Sequence, residues 1–139
     1  MNFDYLKPFP DLAKLHEYCT EAEEFALSKP NISATSARKA MEFMVKLIYA
    51  SLVGQDYGPT VFEMVTDVRF AEYVKSPTLM NSIHYIRKMG NIAVHEGNIT
   101  AEEALHVLEE LHYGISLVNN FVTAETPPKS QSKSRPALS

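Results

Sequence analysis

At 139 residues the chain has the length of a single domain and enough material to bury a core. Its 45% hydrophobic and 22% charged residues fit a soluble globular protein, and no apolar run approaches the ~20 residues that span a bilayer. The net charge of −4 comes from an acidic body, which excludes a general polyanion binder and leaves only local nucleic-acid contact open.

The opening FDYLKPFP, with two prolines and three aromatics, reads as an extended lead-in able to pack on the body. From Asp11, the positions Leu12, Leu15, Cys19, Ala22 and Ala26 recur at helical spacing, and Pro30 is expected to end this first helix. Ser33 is the expected N-cap of a second helix to about Val53. Its apolar stripe is Ala37, Met41, Met44 or Val45, Ile48 and Leu52, with Gly54 as C-cap. After the loop QDYGPT, VFEMVTDVRFAEYVK predicts one or two short helices with Val61, Met64, Val65, Val68 and Phe70 inward. Ser76-Pro77 then signals a helix start, and that helix stops near Gly97. Thr100 and Glu103 form a capping box for a last helix over about Ala101 to Val122, with Leu105, Leu108, Leu111, Ile115 and Val118 inward. No segment alternates at period two. The fold class is all-α: four main helices, with one or two short helices inserted between the second and third. Residues 1–123 form the helical domain, and the Pro/Ser/Lys-rich 124–139 reads as a linker or disordered tail with a basic excess.

The helix that contains IRKMGNIAVHEG carries an unusual polar row. Each residue advances ~100° on an ideal helix, so His84, Arg87, Asn91 and His95 share a sector of about 80°. Leu79, Ile86, Met89 and Ala93 form the core stripe on the other side. Gly90 costs about 1 kcal/mol relative to alanine inside a helix, which calls for close approach of another backbone, from the bundle or from a second subunit, as compensation. His95 lies in the last turn, where free carbonyls favour an imidazolium. Two readings are open. In one, Arg87 and His95 are polar groups tied to helix ends and nearby carboxylates. In the other they form a metal-independent site, in which the imidazole moves a proton at a ribose hydroxyl or leaving oxygen and the guanidinium holds the phosphate.

Other patterns carry less. Glu103-x-x-His106 and Glu109-x-x-His112 match the ligand element of di-iron bundles, but both lie on one helix, so no metal is expected. Arg38 and Glu42 are four apart and read as an intrahelical ion pair. Cys19, the single cysteine, excludes an internal disulfide and suits a reducing, cytoplasmic compartment. MNFDYLKPFPD lacks the charged-then-apolar pattern of a secretory signal.

SARKAMEFMVKLIYA together with IRKMGNIAVHEG resembles the helical domain of unknown function found at the N-terminus of type I restriction enzyme motor (R) subunits and in stand-alone proteins. That family is in turn similar to the HEPN superfamily of helical bundles, many of them metal-independent ribonucleases acting as dimers. The resemblance covers about residues 3–122. It rests most specifically on Arg38 with Glu42 and on Arg87, Gly90, Asn91 and His95. It implies a HEPN-like bundle, a more buried role for Arg38 and Glu42 in bracing the row on the neighbouring helix, a structural role for Gly90, and a nucleic-acid or partner face at Arg87, Lys88, Asn91 and His95. The HEPN nuclease motif separates its Arg and His by about four to six residues. Here seven lie between Arg87 and His95, and Lys88, which restores six, lacks the planar guanidinium fork.

The expected function is therefore a non-catalytic binding or assembly module of a restriction-type defence complex, with no cofactor and no membrane. Its partners are a second copy or other subunits, with RNA or DNA as a further contact. The alternatives are a small ribonuclease using His95 and Arg87, and a helical dimerisation protein without a nucleic-acid role.

Overall fold

The computed structural model describes residues 3–53 and 59–125, and the side chains of 3–52 and 59–117. Every regular element among them is helical. Two 3-10 turns, Asp4–Leu6 and Pro10–Leu12, precede α1 (Ala13–Glu24), α2 (Pro30–Val53), the short α3 (Val61–Thr66) and α4 (Val68–Val74), α5 (Pro77–His95) and α6 (Ala101–Glu125). The C-cap expected at Gly54, most of the loop expected over QDYGPT, the inward side chain expected at Val118 and the tail beyond Glu125 lie outside what is described.

Local chemistry sets the starts. The Ser76 hydroxyl accepts from the Leu79 N–H at 3.1 Å, and Pro77 occupies the first turn, where a missing N–H costs nothing. Thr100 and Glu103 close their capping box with bonds of 3.0 and 2.9 Å. Thr60 and Glu63 close another at α3, and Asp67 caps α4 through the Arg69 N–H at 2.9 Å.

Several expectations need correction. Pro30 does not end the first helix. It begins α2, because its fixed φ suits a first helical turn. Ser33 is therefore not a cap but a buried residue within α2, whose hydroxyl donates to the Ala22 carbonyl at 2.6 Å and ties α2 to α1. The lead-in is not extended. Its 3-10 turns bury Phe3 and Leu6 completely. Val68 is 69% exposed, because the Asp67 cap starts a new helix there and resets the helical phase. Leu105 is 42% exposed, one position off the stripe that buries Ala104, Val107, Leu108, Leu111 and Ile115.

α2 is the central element and packs against α1, α5 and α6, while α6 also packs on α5. Its small residues Ala34, Ala37 and Ala40 let neighbouring helices approach, and Met41, Met44, Val45 and Ile48 fill the core between them. Cross-helix bonds from Asn31 to Gly97, Arg38 to Asn91 and Glu42 to Arg87 show that α2 and α5 run antiparallel in one register. Asn31 clasps the α5–α6 connection at both poles: its amide donates to the Gly97 carbonyl and its oxygen accepts from the Ile99 N–H, each at 3.0 Å. Gly97 takes the left-handed φ of +68° that lets the chain leave α5.

Candidate binding face on α2 and α5

The antiparallel register places the polar row of α5 beside the polar edge of α2. Arg87 is half-buried, and its Nε lies 3.4 Å from Glu42 Oε2. Arg38 donates through Nη1 to Asn91 Oδ1, and its Nε stands 4.0 Å from the same Glu42 oxygen. That Nε is buried and too far from the carboxylate for a hydrogen bond, so its attraction to Glu42 is purely coulombic. One carboxylate thus lies between two guanidiniums, and Asn91 satisfies part of the second. The network keeps one positive charge in excess.

Gly90 explains how Arg38 reaches this position. A Cβ built on Gly90 would meet Arg38 Cβ at 2.5 Å, Cδ at 2.9 Å and Cγ at 3.0 Å, well inside ordinary van der Waals contact. The compensation for a glycine in mid-helix is therefore a side-chain stem rather than another backbone. The aliphatic part of Arg38 lies across the bare α5 backbone and its head emerges next to Asn91. Gly114 of α6 has a looser neighbourhood, with the terminal methyl of Met41 nearest at 3.1 Å.

The remaining row residues face solvent. His84, Lys88 and His95 are exposed, and among the described residues none of the three forms a hydrogen bond or ion pair. Arg87 and His95 are not brought together. Eight helical steps separate them by about 12 Å along the axis, and the Arg87 head is held on α2.

Sequence reasoning missed Lys39 and Lys46. Both are exposed on the solvent side of α2, and neither has a carboxylate partner among the described residues, unlike Lys7 with Asp4 and Lys14 with Glu17. The signal was a charge count helix by helix. α2 and α5 together carry Arg38, Lys39, Lys46, Arg87 and Lys88 against the single acid Glu42. α6 has Glu102, Glu103, Glu109, Glu110 and Glu125 and no lysine or arginine, and α1 has four glutamates against Lys14. The acidic total conceals a basic helix pair flanked by acidic helices.

Two other polar clusters lie elsewhere. On the α5–α6 seam the buried Ser82 hydroxyl donates to Glu110 at 2.6 Å, Glu110 faces His106 at 3.5 Å, and His106 Nδ1 meets the Tyr85 hydroxyl at 3.0 Å. Burial raises the Tyr85 pKa, with Glu103 and Glu110 adding to the effect, so its phenol stays protonated. His112 stacks under Phe3, with ring centroids 3.7 Å apart, and its buried Nε2 has no hydrogen-bond partner among the described residues. Burial first, and the positive N-terminus second, lower its pKa. A concavity of about 980 Å³ runs along α1 past His16, Tyr18 and Phe25 and is lined by neither arginine of the network. No helix of the described residues is long and apolar enough to cross a membrane.

No curated protein and no solved structure matches the chain. One family model does, over residues 20–134, a span that includes α2, α5 and the whole polar row. By that match the chain belongs to the family described as Domain of unknown function (DUF4145).

Proposed function

We propose that this chain is a non-catalytic binding and assembly module that contacts nucleic acid through the face formed by α2 and α5. The observation that carries the reading is the segregation of charge. Three lysines without carboxylate partners, Lys39, Lys46 and Lys88, flank the Arg38–Glu42–Arg87–Asn91 network on a chain that is acidic overall. Unpaired cations with flexible stems suit phosphate contacts, which position a nucleic acid without reading its bases. The half-buried network beneath them acts as a brace that fixes the α2–α5 register.

A restriction-type defence complex as the setting, a HEPN-like arrangement of the helices and a cytoplasmic location follow from the resemblance of the two polar segments and from the single, reduced Cys19. The ribonuclease alternative needs Arg87 and His95 on one phosphodiester, and the hold of Glu42 on Arg87 works against it within one chain.

Titrating labelled RNA, single-stranded DNA and duplex DNA across a salt series tests the reading. Lys39→Ala/Lys46→Ala/Lys88→Ala should weaken binding and flatten the log–log salt dependence by about 2–3, one unit or slightly less for each lost phosphate contact. Affinity that is unchanged in this variant removes the proposed face. EDTA-resistant RNA cleavage that disappears in His95→Ala overturns the non-catalytic assignment.

A further inference from the structure

The outer face of α6 is the chemical complement of the face just described. Leu105, Glu109, Glu102 and Tyr113 share a sector of about 80° on an ideal helix. All four are exposed, with Leu105 and Tyr113 at 42% and 48%. Glu102 and Glu109 have no cationic partner among the described residues, and α6 holds no lysine or arginine to supply one. An exposed leucine and tyrosine aligned with free carboxylates suit a partner whose cations carry long alkyl stems. The stems cover the apolar side chains while the heads reach the carboxylates.

The spacing on the two faces agrees. Glu102 and Glu109 are seven residues apart, as are Lys39 and Lys46, so each pair spans about 10.5 Å on its helix. Phe43, half-buried between the lysines, matches Leu105 between the glutamates. Because α6 packs its inner side on both α2 and α5, its outer face looks away from theirs. The two described faces of one chain therefore cannot meet each other. Nor can a two-fold dimer satisfy the match with both pairs of faces at once, since the two faces lie on opposite sides of the molecule. Contact between unlike faces generates a head-to-tail series instead.

We infer that a second copy of this chain docks its acidic α6 face on the cationic α2–α5 face, pairing Glu102 and Glu109 with Lys39 and Lys46. This regulates the binding face named above, and in that respect it rests on the proposed function: each docked copy masks the lysines that phosphate needs, and nucleic acid and self-association exclude one another.

Sedimentation of the full chain tests this. At low ionic strength (about 50 mM) the average mass should rise with concentration above the monomer's 15.6 kDa, and at about 500 mM it should return to the monomer. Lys39→Ala/Lys46→Ala abolishes one face and Glu102→Gln/Glu109→Gln the other. Each variant, shown folded by its melting curve, should be monomeric alone, and an equimolar mixture should give a pair of twice the monomer mass and nothing larger. A wild-type monomer at low salt, salt-insensitive oligomers, oligomers of either variant alone, or a mixture that stays monomeric overturns the inference. Added duplex DNA should disperse the wild-type series, and a series that binds DNA without dispersing refutes the masking. Salt-sensitive assembly with a capped pair but no nucleic-acid binding leaves the docking intact and removes the proposed function. Nucleic-acid binding by a strict monomer does the reverse.

Discussion

Replacing Gly90 with alanine tests the α2–α5 contact at its tightest point. On an open helix surface the change stabilises by about 1 kcal/mol through backbone entropy. Here the new methyl would sit 2.5 Å from Arg38 Cβ, and carbon atoms normally approach no closer than ~3.5 Å, so the helices must part by about 1 Å. A Cβ moves only with its backbone, so rotamer adjustment cannot relieve the overlap. Overpacking of this kind costs about 1–3 kcal/mol, and the expected net effect is destabilisation by roughly 1–2 kcal/mol, or a melting midpoint about 3–8 °C lower. Urea titrations of paired variants resolve the cause. Gly114→Ala, which meets only the movable end of Met41, should be nearly neutral. Arg38→Ala keeps its Cβ and should not rescue Gly90→Ala. Arg38→Gly removes the obstructing atom and should show positive coupling in the double mutant. A Gly90→Ala variant stabilised by about 1 kcal/mol would mean that no stem crosses the glycine, and the account of the network would fall.

Two further outcomes are expected. The lowered His112 pKa means that the folded chain resists protonation more than the unfolded one, so stability is full above the ordinary histidine value of about 6.5 and declines as pH falls below it. Melting between pH 7.5 and 5 should show this slope in the native chain and lose it in His112→Phe, and an unchanged slope assigns the effect to other groups. Glu42→Gln removes the only carboxylate between two half-buried guanidiniums, so it should cost more than Arg87→Gln. The cost is about 1–2 kcal/mol, held low because solvent still reaches all three side chains. Equal urea midpoints for the two variants would show that solvent screens the excess charge.

Much of this architecture was legible where one element decides its own fate. Ser76-Pro77 and Thr100-x-x-Glu103 announced α5 and α6 because caps are local chemistry, and the apolar stripes of α2 and α5 announced their buried faces. Reading failed where a second element decides. Ser33 looks like a cap until Ala22 supplies a buried carbonyl, and Pro30 looks like a stop until it serves as a first turn. Leu105 fits the apolar period, yet no neighbour among the described residues covers that side of α6. Within the polar row, which residues turn inward depended on Arg38 and Glu42 arriving from α2. An i,i+4 ion pair read in isolation carried no sign of the cross-helix bonds, whereas the family resemblance pointed to a bracing role for Arg38 and Glu42. The charge segregation was available by counting each helix, and a whole-chain total hid it.

The antiparallel seam also bears on how the chain folds. Helix pairs adjacent in sequence are joined by short-range contacts: Ser33 reaches Ala22 across 11 residues, and Tyr85 reaches His106 across 21. The seam bonds span 45 residues for Arg87–Glu42, 53 for Arg38–Asn91 and 66 for Asn31–Gly97. Closing loops of that length before any contact rewards it is the slow part of folding, while helical hairpins form fast and locally. Two preformed hairpins, α1–α2 and α5–α6, therefore meet last along a line of directional polar bonds. A docking slipped by one helical turn would set Glu42 opposite Asn91 rather than Arg87, leaving Arg87 without Glu42 and Arg38 without Asn91. The network thus penalises misalignment at that step, because a slipped docking half-buries the Arg87 guanidinium without the carboxylate that offsets it.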